Sequence, residues 1–436
     1  MTISEKNHST ILNGLLLTIA TLMVFRIPCT VAIIVFSVYG LSQFKRIDWN
    51  NEAKWILLGV SAPFLLHVLF LWNDSSVANS IKATEKYLSL LFLPVFIIGN
   101  YRYIDFEGIL KKYLVGFALV LLAMLVRYIV VFPEQFNKYM QGIHIWEMGY
   151  TFAKSFSNHA PAINMHVAFA VVSTFYFALR AFMETPRKIG QGILFLVTFV
   201  VLFFFLLYIN TRLALVNALV GIGLVLAYRM RKDRLKQTAL FGFIMAVVVG
   251  CGIAFFVHKN PYMIKKYTKE SFAHMDKIGR LDEIDNARAV AYNSLVTRLT
   301  IWKTTLELGA KKPIVGYGSD NSKDRLFQYY YDTEQYFLSQ AKLPVHNQFL
   351  DFFLKFGIVG VLALLLYFWN LFRLGRRSGH VLVLVFFMIF LVSNLSDDFL
   401  IRFDGIAYSG LWISIFASHY RKTVGLKQQS TSDEIN

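Results

Sequence analysis

Long apolar runs follow one another along most of this chain, and they constrain its fold more than any other feature. The runs have few charges, and most of them hold about 15–22 residues, the length at which a helix crosses a hydrocarbon layer of about 30 Å. Backbone N–H and C=O groups in lipid must pair within their own segment, so runs of this length indicate helices and not barrel strands. The sequence therefore predicts an all-α, polytopic integral membrane protein.

The composition supports a membrane protein. Hydrophobic residues make up 56% of the chain and charged residues only 16%, whereas a soluble domain carries roughly a quarter charged residues. Twelve apolar runs are predicted to span the membrane. They are Ile11–Phe25, Pro28–Leu41, Trp55–Trp72, Tyr87–Ile98, Tyr113–Phe132, Ala162–Phe182, Gln191–Tyr208, Leu213–Tyr228, Ala239–Val257, Phe349–Phe372, Val381–Leu395 and Ile406–His419.

Basic residues are in excess, with 44 Lys and Arg against 27 Asp and Glu and a formal net charge of +17. In a soluble chain such an excess would suggest nucleic acid as the partner. Here most of it lies in short loops, where it sets the orientation of the spans and meets anionic headgroups. We therefore expect membrane lipids, and no nucleic acid, as partners. With the N-terminus inside, the inner loops are the basic ones, and the long polar segment 258–346 falls on the outer side.

This topology divides the chain into four parts. Residues 1–257 hold nine spans, residues 258–346 form an outer loop domain, residues 347–420 hold three spans, and residues 421–436 form an inner tail. Because a multi-spanning protein gains little stability from so long an insertion, the outer loop domain is interpreted as the part that carries the function.

Two helical pieces are predicted inside the outer loop domain. The first lies within Asn286–Leu308, where apolar residues recur with helical spacing and Arg298 falls at the membrane-facing margin of the stripe. The recurring residues are Leu295, Leu299, Trp302 and Leu306. The second piece is expected between residues 321 and 340. The turn Gly316-x-Gly318 is interpreted as a tight bend, since no Lys-Ser/Thr follows it as in a nucleotide loop.

No cofactor is predicted. Cys29 and Cys251 are the only cysteines and lie in apolar runs, which argues against a disulfide framework or a Cys metal site. Asp397 and Asp398 lie at an outer turn, where they either orient His346 or a sugar or are simply solvated. No His or further acid accompanies this pair at ligand spacing along the sequence, so no metal site is predicted.

Three residues at the outer face are candidates for chemistry. Taken singly, Arg212 reads as a snorkelling anchor, Arg298 as a solvated helix charge, and His346 as a turn residue or an acid/base. Taken together, they suit transfer from a lipid-linked diphosphate. Guanidinium groups bind phosphate oxygens in bidentate fashion and stabilise a leaving group, and the imidazole can take a proton from an acceptor hydroxyl. Arg127, near the outer end of its span, is either a third cation of this site or an anchor.

Other polar residues in apolar runs are interpreted as structural. Asp351 and Lys355 are four residues apart, which favours an ion pair because a lone charge in a span is costly. His159 and His166 flank the entry to another span.

Four short motifs resemble the O-antigen ligase/polymerase family, and so does the topology of the whole chain with its long loop before the late spans. The motifs are Asn210-Thr211-Arg212-Leu213-Ala214, Thr297-Arg298-Leu299 with Trp302, Pro313-Ile314-Val315-Gly316-Tyr317-Gly318, and His346-Asn347-Gln348-Phe349-Leu350 with Gly357-Ile358-Val359-Gly360. The chain departs from the family at Thr211, where a Ser is often found, and at Lys355, where many members carry an acid.

The resemblance implies a GT-C-like membrane glycosyltransferase of lipopolysaccharide biosynthesis in the bacterial inner membrane. It implies metal-independent, inverting transfer of a glycan from undecaprenyl diphosphate to lipid A-core at the periplasmic face. Arg212 and Arg298 would hold the diphosphate and His346 would activate the acceptor. Arg127, Asn347 and the pair Asp397 and Asp398 are further candidates for substrate binding.

Two alternatives to a ligase stay open. A polysaccharide polymerase, or a relative that glycosylates protein, would use the same lipid-linked donor and the same arginines and base. A transporter without chemistry is disfavoured, because the chain has no internal repeat and few acids deep in its spans.

Overall fold

The computed structural model describes residues 3–184, 186–232, 235–260, 272–287 and 294–433. Within these residues the regular structure is entirely helical, which confirms the all-α prediction. Helices α1 to α6 are Glu5–Leu22, Arg26–Ser42, Asn51–Leu69, Val77–Glu85, Ser89–Gly99 and Phe106–Val131. Helices α7 to α12 are Pro133–Met140, Met148–Lys154, Ala160–Met183, Ile189–Ile209, Arg212–Lys232 and Leu235–Lys259. Helices α13 to α18 are Leu295–Gly309, Ser322–Asp332, Tyr336–Ala341, Gln348–Ser378, Val381–Ser396 and Phe403–Asp433.

Twelve of these helices coincide with the twelve predicted spans. In the described part of the chain, seven helices are long and apolar enough to cross a membrane: α3, α6, α9, α10, α11, α12 and α16. Three other apolar helices at predicted spans, α2, α5 and α17, are shorter. The last helix, α18, runs on to Asp433, well beyond the predicted end of its span at His419.

Helix α9 lies at the centre of the bundle. Its whole apolar stretch is buried in protein, whereas only 17% of the corresponding stretch of α12 is buried. Its neighbours are α10, α11 and α17. The loop before α9 is therefore held among the ends of several spans, while α12 lies at the periphery.

Helix α16 is broken near its start, and the break docks the outer segment onto the bundle. Gly357 has φ 63° and ψ −151°, which interrupts the helix. The interruption leaves the carbonyls of Leu354 and Lys355 free to accept hydrogen bonds of 2.9 Å from the N–H groups of Tyr317 and Gly318. Two of the motifs thus pair with each other through their backbones.

Glycine is required at this junction. Gly316 has φ 63°, and a Cβ there would lie 2.5 Å from the carbonyl carbon of Lys355. A Cβ on Gly357 would lie 2.3 Å from the carbonyl carbon of Ile314. The interpretation of Gly316-x-Gly318 as a tight bend is confirmed, since Gly318 also has φ 89°.

The predicted outer helix exists, but it begins later than expected. Asn286 has φ 52°, outside the helical region, and α13 starts only at Leu295 behind the N-cap Ser294. Residues 288–293 of the predicted stretch lie outside the described residues. The second predicted piece is confirmed as two helices, α14 and α15.

The face of α13 that packs on the protein is rich in threonine. The leucine stripe is largely the open side, with Leu306 49% exposed. The buried residues are Val296, Thr297, Thr300, Ile301, Thr304, Thr305, Leu308 and Gly309. Thr300 and Thr305 donate to carbonyls one turn back, at 2.9 and 2.7 Å, which satisfies their hydroxyls inside the core.

Candidate active site

Arg212 is positioned by a tight reversal between α10 and α11. Asn210 adopts φ 54°, a left-handed conformation that Asn tolerates better than most residues. The next residue, Thr211, is anchored to the central helix, because Asn164 of α9 donates to its Oγ1 at 2.8 Å. Helix α11 then begins at Arg212, so the guanidinium leaves the first turn at the outer end of the bundle.

The short helix α8 presses directly on this reversal. A Cβ on Gly149 would lie 2.1 Å from the carbonyl oxygen of Ile209, so only glycine permits the approach. The following residue, Tyr150, is 41% exposed beside the reversal.

Tyr150 marks where three of the candidate groups converge. The charges of Arg298, Asp397 and Arg212 all act on its hydroxyl. Helices α11 and α13 and the end of α17 therefore bring their charged residues to one place.

His346 lies in the turn before α16, with φ 53°. A non-glycine residue in this conformation is held there by its surroundings, and such positions cluster at functional sites. The next residue, Asn347, caps α16 by accepting from the N–H groups of Phe349 and Leu350, and it donates to the carbonyl of Leu395 at 2.9 Å. Asn347 therefore fastens the histidine turn to α17, and its contact with substrate stays a prediction.

His346 and Asp397 form a hydrogen-bonded pair. Nδ1 of His346 lies 3.2 Å from Oδ1 of Asp397, and the two side chains are 22% and 7% exposed. Burial by itself would raise the pKa of Asp397, but the hydrogen bond and charge of His346, together with the effects of Asp398 and His159, outweigh it and hold that pKa below its usual range. An ionised carboxylate only accepts hydrogen bonds, so Nδ1 carries the proton and Nε2 is left as the basic nitrogen.

Asp398 differs from its neighbour in the direction of its pKa shift. It is 1% exposed, and neither carboxyl oxygen has a hydrogen-bond partner in the described part of the chain. Burial and the negative charge of Asp397 both raise the pKa of Asp398. Both acids are buried, so the alternative of a solvated turn is wrong.

The argument against a metal site does not hold in three dimensions. His346, Asp397 and Asp398 offer ligand atoms that all lie within 4.8 Å of one another. The sequence shows no histidine near the acids because 51 residues separate His346 from Asp397. The geometry is thus close enough for a cation, although the raised pKa of Asp398 disfavours the ionised form that a metal ligand needs.

Two further residues join the site, His159 and Arg402. The sequence analysis interpreted His159 as structural and did not single out Arg402. His159 is the N-cap of α9, its Nδ1 is buried without a partner among the described residues, and the charges of Arg402, Asp397, His346 and Arg298 all act on it. Burial, aided by Arg402, lowers the pKa of His159 to about 4, so its ring is neutral at pH 7. The interpretation of His159 as purely structural is not supported, and its place at the outer end of a span was the available signal.

Three arginines at this site have no counter-ion. Within the described residues, Arg212, Arg298 and Arg402 form neither a side-chain hydrogen bond nor an ion pair, and the Nε atoms of Arg212 and Arg402 are buried. A partly buried cation without a partner is costly unless an anion occupies the site. The cluster therefore suits an anionic ligand with several oxygens, as a diphosphate has.

Residues 197–365 match the family model described as O-Antigen ligase. The chain carries an O-antigen ligase domain. The family resemblance seen in the motifs is confirmed, and members of this family are membrane glycosyltransferase-like enzymes of the ligase or polymerase type. No curated protein matches the chain.

The O-antigen ligase domain contains Arg212, Arg298 and His346. Asp397 and Arg402 follow its end, and the fold returns them to the same place through α17 and the turn before α18. The site is therefore completed by residues outside the matched stretch.

A predicted ion pair inside the O-antigen ligase domain is confirmed. Nζ of Lys355 lies 2.7 Å from Asp351, and the two side chains are 12% and 10% exposed. Gln348 also donates to Asp351 and accepts from the N–H of Leu400, which ties α16 to the turn before α18.

Arg127 and His166, two other residues discussed from the sequence, have their contacts away from the arginine cluster. Arg127 is exposed and donates to the carbonyl of Ser155 at 3.1 Å, with its guanidinium 6.0 Å from the ring of Phe132. The structure shows no contact of Arg127 with the arginine cluster in the described residues, so its substrate role stays a prediction. His166 is 2% exposed and stacks on Tyr408 with ring centroids 3.6 Å apart, which confirms a structural role.

Proposed function

We propose that the protein is an O-antigen ligase that transfers preassembled polysaccharide from undecaprenyl diphosphate to lipid A-core. In this proposal the reaction takes place at the periplasmic face of the bacterial inner membrane, as a single inverting displacement without a metal. The observation that carries it is the pair His346–Asp397 together with three nearby arginines that form no ion pair among the described residues.

His346 acts as the general base. Its Nδ1–H is held by Asp397, so Nε2 accepts the proton of the acceptor hydroxyl as the hydroxyl oxygen attacks the anomeric carbon. Asp397 fixes the tautomer and stabilises the imidazolium that forms, as the acid does in a Ser-His-Asp triad.

The arginines stabilise the leaving group. As the new glycosidic C–O bond forms, the bond from the anomeric carbon to the diphosphate breaks, and its electron pair passes to the departing oxygen. Arg212 and Arg298 bind the diphosphate oxygens where this negative charge develops. Arg402, near His159, supplies a third positive charge.

The periplasmic orientation rests on the distribution of basic loops. Substituting the native cysteines by serine and placing single cysteines at Lys323 and Lys342, both exposed, provides a test. Each should react with a membrane-impermeant thiol reagent in intact spheroplasts. A cysteine at the exposed Arg231 should react only after the membrane is opened, and the reverse pattern would refute the orientation.

The reaction is tested with purified protein, undecaprenyl-diphosphate glycan and lipid A-core in vesicles. We expect glycan to appear on lipid A-core and transfer to survive EDTA. Extension of a second lipid-linked glycan, with no product on lipid A-core, would establish the polymerase instead. Activity that is lost to EDTA and restored by Mg²⁺ would place a cation at His346, Asp397 and Asp398.

A further inference from the structure

A second group of basic side chains lies on the outer face, away from the arginine cluster. Lys82 and Lys86 follow Asn79 by three and seven residues, so the three share one face of α4 and its C-cap. Asn79 donates to Asp320 at 2.9 Å, which turns this face toward the start of α14. Lys323, three residues after Asp320, projects from the first turn of that helix.

Hydrogen bonds fix the contact between α4 and the segment that leads into α14, and the carboxylate of Asp74 lies at its centre. Asp74 accepts hydrogen bonds from the hydroxyls of Ser80 and Ser319, at 2.7 and 2.8 Å, and from the N–H of Asp320 at 2.8 Å. A Cβ on Gly318 would lie 2.2 Å from this carboxylate, so only glycine fits. The lysines therefore project from elements that are fixed to each other.

Arg26 and Lys355 complete the group from two further helices. After desolvation, the largest effects that lower the pKa of Lys86 are the charges of Lys355, Arg26, Lys323 and Lys82. Lys355 is neutralised by its own ion pair with an aspartate.

We call the four remaining cations, Arg26, Lys82, Lys86 and Lys323, the basic patch. All four are exposed, and none forms an ion pair with the described residues. Glu85 and Asp324 are neighbours of the patch in sequence, are exposed, and pair with none of its members. The acids Asp74 and Asp320 also lie at this contact. The patch is therefore defined by four exposed cationic side chains without ion pairs among the described residues, and not by an excess of positive charge.

The patch lies where lipid headgroups would meet the protein. The neighbouring apolar side chains of Trp72, Val77 and Ile81 are 67%, 63% and 49% exposed. A short helix with exposed apolar residues, lysines on another face and a tryptophan nearby is typical of the membrane interface. Cations at this level meet phosphate groups.

Arg26 connects the patch with the candidate active site. Its charge acts on Asp404, two residues from Arg402. Lys355, whose charge acts on Lys86, pairs with Asp351, and the charge of Asp351 acts on Asp398. The Arg26 side of the patch therefore lies toward the turn between α17 and α18, whereas Arg212 and Tyr150 lie on the side of α8 and α11.

We propose that the basic patch binds phosphate groups on the lipid anchor of the acceptor. This proposal rests on the proposed function, in which the diphosphate of the donor already occupies the arginine cluster. A lipid-anchored acceptor must place its hydroxyl at His346 while its anchor stays at the interface. Four cations at that level that form no ion pair with the described residues, on the other side of the turn between α17 and α18, provide the anchor with a fixed position.

Acceptor kinetics test the proposal. The double variant Lys82→Gln/Lys86→Gln is compared with Lys342→Gln, which removes an exposed charge of the same segment outside the patch. At saturating donor we expect the acceptor KM to rise about fivefold per lost cation, hence roughly 25-fold, with kcat and the donor KM unchanged. Lys86→Arg should keep the wild-type KM. The difference should disappear when the lipid A-core has been dephosphorylated.

An unchanged acceptor KM in the double variant, or an equal rise with the dephosphorylated acceptor, would overturn the proposal. Binding distinguishes its failure from that of the proposed function. Without donor, the wild-type protein should bind nanodiscs of phosphorylated lipid A more tightly than the double variant does, even if no transfer is seen. Equal binding to phosphatidylglycerol discs would make the patch a general anionic-lipid contact, and competition by millimolar inorganic phosphate would reduce it to a phosphate site. Either result contradicts the acceptor assignment.

Discussion

Each end of the helix bundle holds a cluster of charged side chains, and the two clusters differ in whether their charges are paired. At the inner end, Glu107 lies 3.0 Å from Lys111 and 2.5 Å from Arg180. Arg180 also lies 2.5 Å from Glu184, which in turn pairs with Lys188 at 3.1 Å. Every charge in this chain of ion pairs has a partner, so the cluster joins α6 to α9 and needs no ligand.

At the outer end the same residue types are arranged differently. The arginines Arg212, Arg298 and Arg402 have no ion pair among the described residues, and the nearby carboxylate Asp397 is bonded to His346 instead. A fold that leaves partly buried cations unpaired loses stability unless something else binds them. The difference fits the proposal that the inner cluster holds the helices together and the outer one binds an anion.

The largest effect should follow from removing the base. His346→Ala should lower transfer by about 10²- to 10⁴-fold, because no group remains to take the proton of the acceptor hydroxyl. Binding of the donor should change little, since the imidazole acts on the acceptor. Membrane levels and thermal unfolding of the variant are measured in parallel. Transfer at the wild-type rate would remove His346 from the mechanism.

The arginines allow a matched comparison between the two ends. Arg212→Lys and Arg298→Lys should each lower transfer by about 30- to 1000-fold, because lysine offers a point charge where a planar fork is needed. Arg180→Lys, the same change at the inner end, should leave the rate per folded protein nearly unchanged. Comparable losses at both ends would mean that the outer arginines are structural.

Asp397→Asn should have a smaller effect, about 10- to 100-fold in rate, because the amide still fills the space but holds the imidazole less firmly in the productive tautomer. Asp398→Asn serves as its control, because the amide copies the shape of a neighbouring acid whose oxygens have no hydrogen-bond partner among the described residues. The two rates are measured over a range of pH, and equal losses would contradict the role of Asp397 as the specific partner of His346.

Breaking the inner cluster should affect stability alone. Glu107→Gln removes the acid shared by Lys111 and Arg180 and should lower the free energy of unfolding by about 1–2 kcal/mol. Thermal unfolding in detergent measures this change, and transfer by the folded fraction should stay normal. A specific loss of activity without a loss of stability would show that the inner cluster also has a functional role.

The smallest expected effect is on the pH dependence of the free energy of unfolding. His159 has a pKa lowered to about 4 in the folded protein, against about 6.5 when unfolded. Unfolding therefore takes up a proton between these values, and the contribution of His159 to stability is complete above pH 6.5 and lost as the pH falls toward 4. Because the ring is partly exposed, we expect about 1 kcal/mol, seen as a flatter stability profile in His159→Asn. If the pH dependence of stability is the same in His159→Asn as in the wild type, the ring of His159 is exposed to water in the folded protein.

The sequence predicted the fold well because membrane spans depend on local properties. Length and apolar content identify a span without knowledge of its neighbours, and all twelve predicted spans are helices. The packing of α13 was not predicted, because its threonines become buried only by bonding to the turn behind them, which the apolar pattern does not show.

The site was predicted in part. Arg212, Arg298 and His346 were chosen by residue type and position at the outer ends of elements. The hydrogen bond from His346 to Asp397 spans 51 residues of sequence and depends on how α16 packs on α17. Arg402 carries no sequence signal of its own, since an arginine beside a span usually acts as an anchor.

The central claim, that the outer cluster binds the donor diphosphate and His346 activates the acceptor, is tested most directly by measuring donor binding and single-turnover transfer in the same samples. The samples are wild type, His346→Ala and the double variant Arg212→Lys/Arg298→Lys, each with labelled undecaprenyl-diphosphate glycan. We predict that His346→Ala binds the donor as the wild type does but transfers almost none of it, and that the arginine variant binds the donor weakly. Normal donor binding by the arginine variant, together with full transfer by His346→Ala, would contradict the account.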